Sequence, residues 1–270
     1  MKQEKLVVPW KHFQGEISNC VLDTSVGKLR VLDNSIEDEK KERLIILMHG
    51  CPSECTELLH FFTPLGFYRY RVVAFDFPGY GGSPGEKLAS RSDKIHVPKG
   101  PAECALAVMK KLGYQKASFG GYDWGAGVAL GIGLKYPKCV QKIISLLPSY
   151  NPTNNQELST MIPATLVIWV KQDLFHSWAR WQSFAKQIPN KKIELIDAKI
   201  WKEGMSAGAY HTFRDQIGRA ILMFLGHSDP MVDSSKIKED VVKLDTDIHG
   251  KVIEKKQLIV FGDDEDLQKV

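Results

Sequence analysis

An aspartate with a glycine two residues to either side, Gly121-Tyr122-Asp123-Trp124-Gly125, sits where an apolar strand (116–120) gives way to a small-residue helix (126–135). Glycines at those two places allow a turn so sharp that neighbouring Cβ atoms would collide, and such a turn strains its central residue. A serine there would need a base to take its proton and would suit acyl transfer. Asp123 needs none, because a carboxyl of ordinary pKa, about 3.9, is ionised at neutral pH. Its attack on an acyl carbonyl gives an anhydride, a poor intermediate. Its attack on a saturated electrophilic carbon gives an ordinary ester, which a second group must hydrolyse by activating water. These residues therefore point to opening of epoxides or displacement of halide rather than to esterase or peptidase chemistry. The alternative is that Asp123 is kept for packing and does no chemistry.

The elements that must position Asp123 follow from the hydrophobic pattern. Short, buried-type strand signals cover 43–48, 71–75, 116–120, 140–147, 164–170 and 192–196. Helical spacing covers 101–112, closed by Gly113, then 126–135, 177–187 and 205–225. Such alternation predicts an α/β fold with a mostly parallel sheet and helices on both faces. Functional groups in these sheets lie just beyond the carboxyl ends of the strands. His49, Asp76, Asp123 and Asp173 all fall at those ends.

Composition narrows the classes. A chain of 270 residues suits one core domain with extensions. The formal charge of +4 is scattered along the chain, which argues against nucleic-acid or membrane-surface binding. Neither a signal-peptide pattern nor a bilayer-spanning apolar stretch is apparent. The five cysteines (Cys20, Cys51, Cys55, Cys104, Cys139) are odd in number and irregularly spaced, as expected of reduced thiols in a cytoplasmic setting. Cys51 and Cys55 have no matching pair or histidine cluster, so no metal site is expected.

Three motifs carry a resemblance. His49-Gly50-Cys51-Pro52 looks like the HGxP loop of epoxide hydrolases. The segment 76–83 resembles their D-x-x-G-x-G-x-S turn, and 121–125 their G-x-D-W-G elbow. The match runs over most of 17–225, with the motifs in the family's order, and identifies the chain as similar to α/β-hydrolases of the branch with an aspartate at the nucleophile elbow. The resemblance implies a small-molecule substrate, no cofactor, and a charge-stabilising pocket from the backbone N–H groups of Cys51 and Trp124. Haloalkane dehalogenases use the residue at the Trp124 position to help hold halide, but their usual asparagine in the HG loop is Cys51 here. His49 is either a support for the pocket or a satisfied turn histidine. Asp173, beyond the strand 164–170, takes the place of the acid that orients the water-activating histidine; its bland reading is an exposed loop carboxylate. His211, in Gly208-Ala209-Tyr210-His211, resembles the family's G-x-G-H histidine, with Tyr210 for the second glycine, and His176 is its rival.

Two features depart from that family. Only residues 148–163 separate the fourth and fifth core strands, too short a connector for the helical cap whose tyrosines assist epoxide opening. Tyr150 is the one tyrosine in it. Beyond the core, taken as 1–226, an extension of 227–270 contains two short strand signals, 240–247 and 251–260, around the turn 248–250. It reads as a flexible end or as an arm that docks on a protein partner. Two functions therefore stand: a minimal hydrolase using Asp123, His211 and Asp173, or a catalytically silent hydrolase fold serving as a binding or structural module.

Overall fold

The computed structural model describes residues 4–7, 16–35, 43–87, 100–149, 158–171, 178–196, 214–227, 245–246 and 252–253. Nine strands form one sheet: β1 (Glu4–Val7), β2 (Glu16–Thr24), β3 (Gly27–Asp33), β4 (Arg43–Met48), β5 (Tyr70–Phe75), β6 (Ala117–Tyr122), β7 (Val140–Leu146), β8 (Ala164–Val170) and β9 (Lys191–Ile196). Their spatial order is β1-β2-β3-β5-β4-β6-β7-β8-β9. Strands β4 to β9 pair in parallel, whereas β1, β2 and β3 join antiparallel, with β3 running against β5. The antiparallel flank is the part of the sheet that the strand–helix alternation did not foretell.

Burial explains the central strands. All six residues of β6 are buried, as are the last five of β4 and the last six of β8. A strand covered on both faces cannot show alternating polarity, and its residues read as a continuous apolar run. Edge strand β9 keeps most of its residues half-buried. Covering helices are α1 (Phe62–Phe67), which follows a 3₁₀ stretch (Cys55–Phe61), then α2 (Pro101–Lys111), α3 (Trp124–Lys135), α4 (Trp178–Ala185) and α5 (Arg214–Leu225). Helix α3 packs along β4, β6 and β7, and α5 along β8 and β9. On α5 the buried residues Ile217, Ala220, Ile221 and Leu225 recur at helical spacing and form its inner stripe. An aromatic cluster fixes α4: Trp169 of β8 lies 5.8 Å from Trp178 and 5.5 Å from Trp181, ring centre to ring centre.

Because β4 to β8 run the same way, their carboxyl ends share one rim. His49 follows β4, Asp76 follows β5, Asp123 follows β6, and Leu147 follows β7. Two further short strands, β10 (Asp245–Thr246) and β11 (Val252–Ile253), pair antiparallel in the extension. Among the described residues, no helix is long and apolar enough to cross a membrane.

Candidate active site

The turn between β6 and α3 has the geometry its glycines demand. Asp123 sits at φ 52°, ψ −115°, outside the regions an L-residue ordinarily occupies. A residue held this way costs of order 1–3 kcal/mol and persists only where its surroundings over-determine it. Here they do. The Asp123 N–H donates to the Leu146 carbonyl at 3.0 Å, and the Asp123 carbonyl accepts from Ser149 N–H at 3.2 Å and Gly127 N–H at 3.4 Å. A Cβ on Gly121 would stand 2.4 Å from the Gly125 carbonyl carbon, and one on Gly125 would stand 2.2 Å from the Met48 carbonyl oxygen. Both clashes are with backbone, so no side-chain adjustment relieves them. The five-residue pattern is thus a steric requirement of bringing α3 hard against the end of β4.

The loop after β4 meets this turn. Cys51 N–H donates to the Oδ2 atom of Asp123 at 3.0 Å. The loop is held from behind by Glu57, which accepts from Gly50 N–H at 2.7 Å and also from the Ser53 hydroxyl. The Cys51–Pro52 peptide is cis. Cys51 is half-buried, and its Sγ contacts the Tyr80 hydroxyl at 3.3 Å.

His49 is fully buried, and both its ring nitrogens are engaged. Nδ1 lies 2.6 Å from the Gly50 carbonyl, and Nε2 accepts from Phe77 N–H at 3.1 Å. A carbonyl can only accept, so the proton is on Nδ1 and the ring is neutral. Burial pushes its pKa down, against the opposing pull of the Gly50 carbonyl and the nearby carboxylates of Asp76, Glu54 and Asp123. His49 therefore ties the two loops together and has no nitrogen left to serve as a base. Trp124, 1% exposed, packs its ring 4.6 Å from Phe77 and 5.9 Å from Tyr80. Its Nε1–H is buried without an acceptor among the described residues.

Asp76, at the neighbouring strand end, has a different part. Its fully buried carboxylate accepts from Arg30 Nη1 at 3.0 Å, Cys55 N–H at 2.7 Å and Gly82 N–H at 2.8 Å. The Ser83 hydroxyl donates to its carbonyl at 2.6 Å and accepts from Arg30 N–H at 2.9 Å. Arg30 also reaches Glu54 at 3.3 Å. Asp76 is the knot that binds β3, the β4 loop and the β5 turn. Beside it, burial and the Asp76 charge raise the Cys55 pKa, so that thiol stays protonated.

Asp173 and His211 lie outside the described residues, as do His176 and Tyr150. The structure brings Asp123, Cys51, Trp124 and His49 together within one cluster. Three contributors escaped the sequence reading. Arg30 lies in a strand with no local signal, Glu57 is recognisable only once the loop is folded, and Tyr80 stands between Gly79 and Gly81 in a turn already noted. Among the described residues no group of three His, Cys, Asp or Glu side chains is arranged to hold a metal, and all five cysteines are free thiols.

Comparison with known proteins bears on this cluster. The model of a hydrolase family described as "serine aminopeptidase, S33" matches residues 39–256. The chain is 30% identical over 142 residues to human epoxide hydrolase 4 and 29% identical over 138 residues to the mouse protein. Each match covers 46% of this chain and 36% of the relative, so the chain spans little more than a third of those relatives' length. A haloalkane dehalogenase of Psychrobacter cryohalolentis is 26% identical over 172 residues, covering 62% of this chain and 48% of that one. Among solved structures, a predicted CIB-like hydrolase from Thermoplasma acidophilum superposes with a TM-score of 0.65 at 21% identity, covering 77% of this chain and 98% of that one. Naproxen esterase from Bacillus subtilis gives 0.64 at 14% identity, covering 79% and 93%. At such identities the structural likeness speaks for the fold: this is the α/β-hydrolase architecture.

Proposed function

Since the chain belongs to the hydrolase family described as serine aminopeptidase S33 and carries Asp123 at its strand-to-helix turn, we propose that it acts as an α/β-hydrolase through a carboxylate nucleophile. The observation that carries this reading is the hydrogen bond from Cys51 N–H to Asp123 Oδ2, in a turn strained enough to need a reason. The bond fixes the carboxylate of Asp123 at the apex of the turn, where the proposed attack on a substrate carbon would start. The chemistry is that of an epoxide hydrolase. Asp123 attacks a saturated carbon and forms an alkyl ester, and the ester is then hydrolysed. In the second step Cys51 N–H is placed to face the oxyanion that develops on the ester, together with the N–H of Trp124 at the start of α3. His211 would activate the water and Asp173 would orient His211, as the resemblance implies.

The test separates the two steps. His211→Gln should still be alkylated on Asp123 but should release product slowly, so that the ester accumulates and is seen by intact-protein mass spectrometry after exposure to an epoxide. An unmodified His211→Gln protein across a panel of epoxides and alkyl halides would reject the reading.

A silent fold is the second reading, favoured by the small number of residues between β7 and β8, fewer than the helical cap of epoxide hydrolases needs. In that reading 1–226 is the folded core and 227–270 is a protein-binding arm built around the β10–β11 pair. Removing residues 228–270 keeps His227, which packs its ring 4.3 Å from Tyr68. An unchanged melting temperature with loss of co-purifying protein would support the arm, and a collapse in melting temperature would reject it.

A further inference from the structure

Opening an epoxide poses a problem that the two hydrolytic steps do not solve. When a carboxylate oxygen bonds to the ring carbon, the C–O bond breaks and its electron pair stays on oxygen. That alkoxide is strongly basic and recloses onto the carbon unless a proton meets it. A donor must stand across from the nucleophile, close to neutral pH in its proton-holding form, and fixed before the substrate arrives.

Tyr80 brings a proton-holding hydroxyl to the loop that holds Asp123. Its side chain is 9% exposed, and its ring lies 5.6 Å from His49 and 5.9 Å from Trp124. Its hydroxyl reaches Cys51 Sγ at 3.3 Å, and the N–H of that same Cys51 holds Asp123 at 3.0 Å. The hydroxyl is therefore linked to the Asp123 carboxylate through Cys51. The turn carrying it is rigid: Tyr80 N–H donates to the Phe77 carbonyl at 2.9 Å, the Tyr80 carbonyl accepts from Ser83 N–H at 3.0 Å, and Asp76 anchors Gly82. Burial first, and then Cys51, push the Tyr80 pKa up to about 12, so the phenol keeps its proton at neutral pH. An independent sign comes from Trp124. Its Nε1–H, in the same ring stack, is a buried donor with no acceptor among the described residues, and burying a donor unpaired is unfavourable. Such a donor beside Tyr80 marks a place suited to an acceptor atom.

We propose that Tyr80 is the proton donor to the oxygen released when Asp123 opens an epoxide, an assignment that rests on Asp123 being the nucleophile. In the first step the Asp123–carbon bond forms, the carbon–oxygen bond breaks, and the Tyr80 proton passes to the new hydroxyl, leaving a phenolate. In the second, water adds to the ester; its two hydrogens are divided between the second product hydroxyl and the phenolate, which returns both Asp123 and Tyr80 to their starting forms. The core turn thus supplies the acid for the ring-opening step. A halide leaves as a stable anion and needs no proton, so the assignment makes a selective claim.

Rapid-quench mass spectrometry with enzyme in excess measures it, using styrene oxide and phenethyl bromide as alternative probes. Tyr80→Phe should slow alkylation of Asp123 by styrene oxide at least about a hundredfold, the lower range of general-acid effects, and leave alkylation by phenethyl bromide within about twofold. Cys51→Ala should keep that selectivity, which separates Tyr80 from its thiol neighbour. With fluorotyrosine in place of Tyr80, which keeps the packing but acidifies the phenol, the alkaline limb of the styrene oxide profile should move to lower pH. Equal slowing of both probes by Tyr80→Phe, or of neither, would overturn the assignment while leaving Asp123 as nucleophile. Absence of any adduct on the unaltered protein with either probe would instead remove the nucleophile itself.

Discussion

Asp76 and Asp123 follow the two strands that flank β4, each beside a glycine-rich turn, yet their surroundings are opposite. Asp76 is wholly buried, neutralised by Arg30 and fastened by the N–H groups of Cys55 and Gly82. Asp123 is half-buried, sits in a backbone conformation that ordinary residues avoid, and faces the loop of Cys51. Residue type and glycine punctuation alone therefore make two very different carboxylate sites look alike in the chain. The one paired with a guanidinium and sealed from water is a fastener, whereas the one on the strained turn has the nucleophile's part in the proposed function.

Breaking the comparison at each aspartate should give opposite results. Asp123→Asn removes the proposed nucleophile and should abolish alkylation by epoxides to below detection, with a melting temperature at or above that of the unaltered protein. Asp76→Asn should cost about 3–5 kcal/mol of stability, because the Arg30 guanidinium is left facing a buried neutral amide. Urea denaturation measures that loss. An equal loss at Asp123, or none at Asp76, would erase the distinction.

The third prediction sharpens it through pH and is the smallest. His49, which ties the loop after β4 to the turn after β5, is neutral in the fold, and burial depresses its pKa. Once unfolded it regains an ordinary value near 6.5 and takes up a proton below it. The unfolded state then binds more protons than the folded one, so stability is lost as pH falls below about 6.5. His227, whose pKa is lowered by burial and by Arg43 and Lys142, acts in the same direction. The urea midpoint should therefore fall from about pH 7.5 to about pH 5.5, and His49→Gln should lessen the fall without removing it.

Much of this was legible in the chain. The strands 43–48 and 164–170 and the helix beginning at Pro101 follow directly from apolar runs and their punctuation. The turn around Asp123 was readable because its glycines answer to backbone clashes, and such clashes leave a spacing in the sequence. The antiparallel β1–β3 flank was not, since its pairing depends on long-range register with β5 rather than on local pattern. Arg30 was invisible for the same reason: its partners Glu54 and Asp76 lie far along the chain and meet it only across the sheet. Tyr80 stood in a recognised motif, but its hydroxyl contact with Cys51 belongs to the folded juxtaposition of two turns.

A single turnover in heavy-oxygen water tests the nucleophile most directly. With enzyme in excess over styrene oxide, the account predicts that the first diol formed carries ordinary oxygen from the Asp123 carboxylate, and that heavy oxygen appears in the peptide containing Asp123. Heavy oxygen in the first diol with an unlabelled Asp123 peptide would mean that water attacks the substrate directly, and would contradict the account.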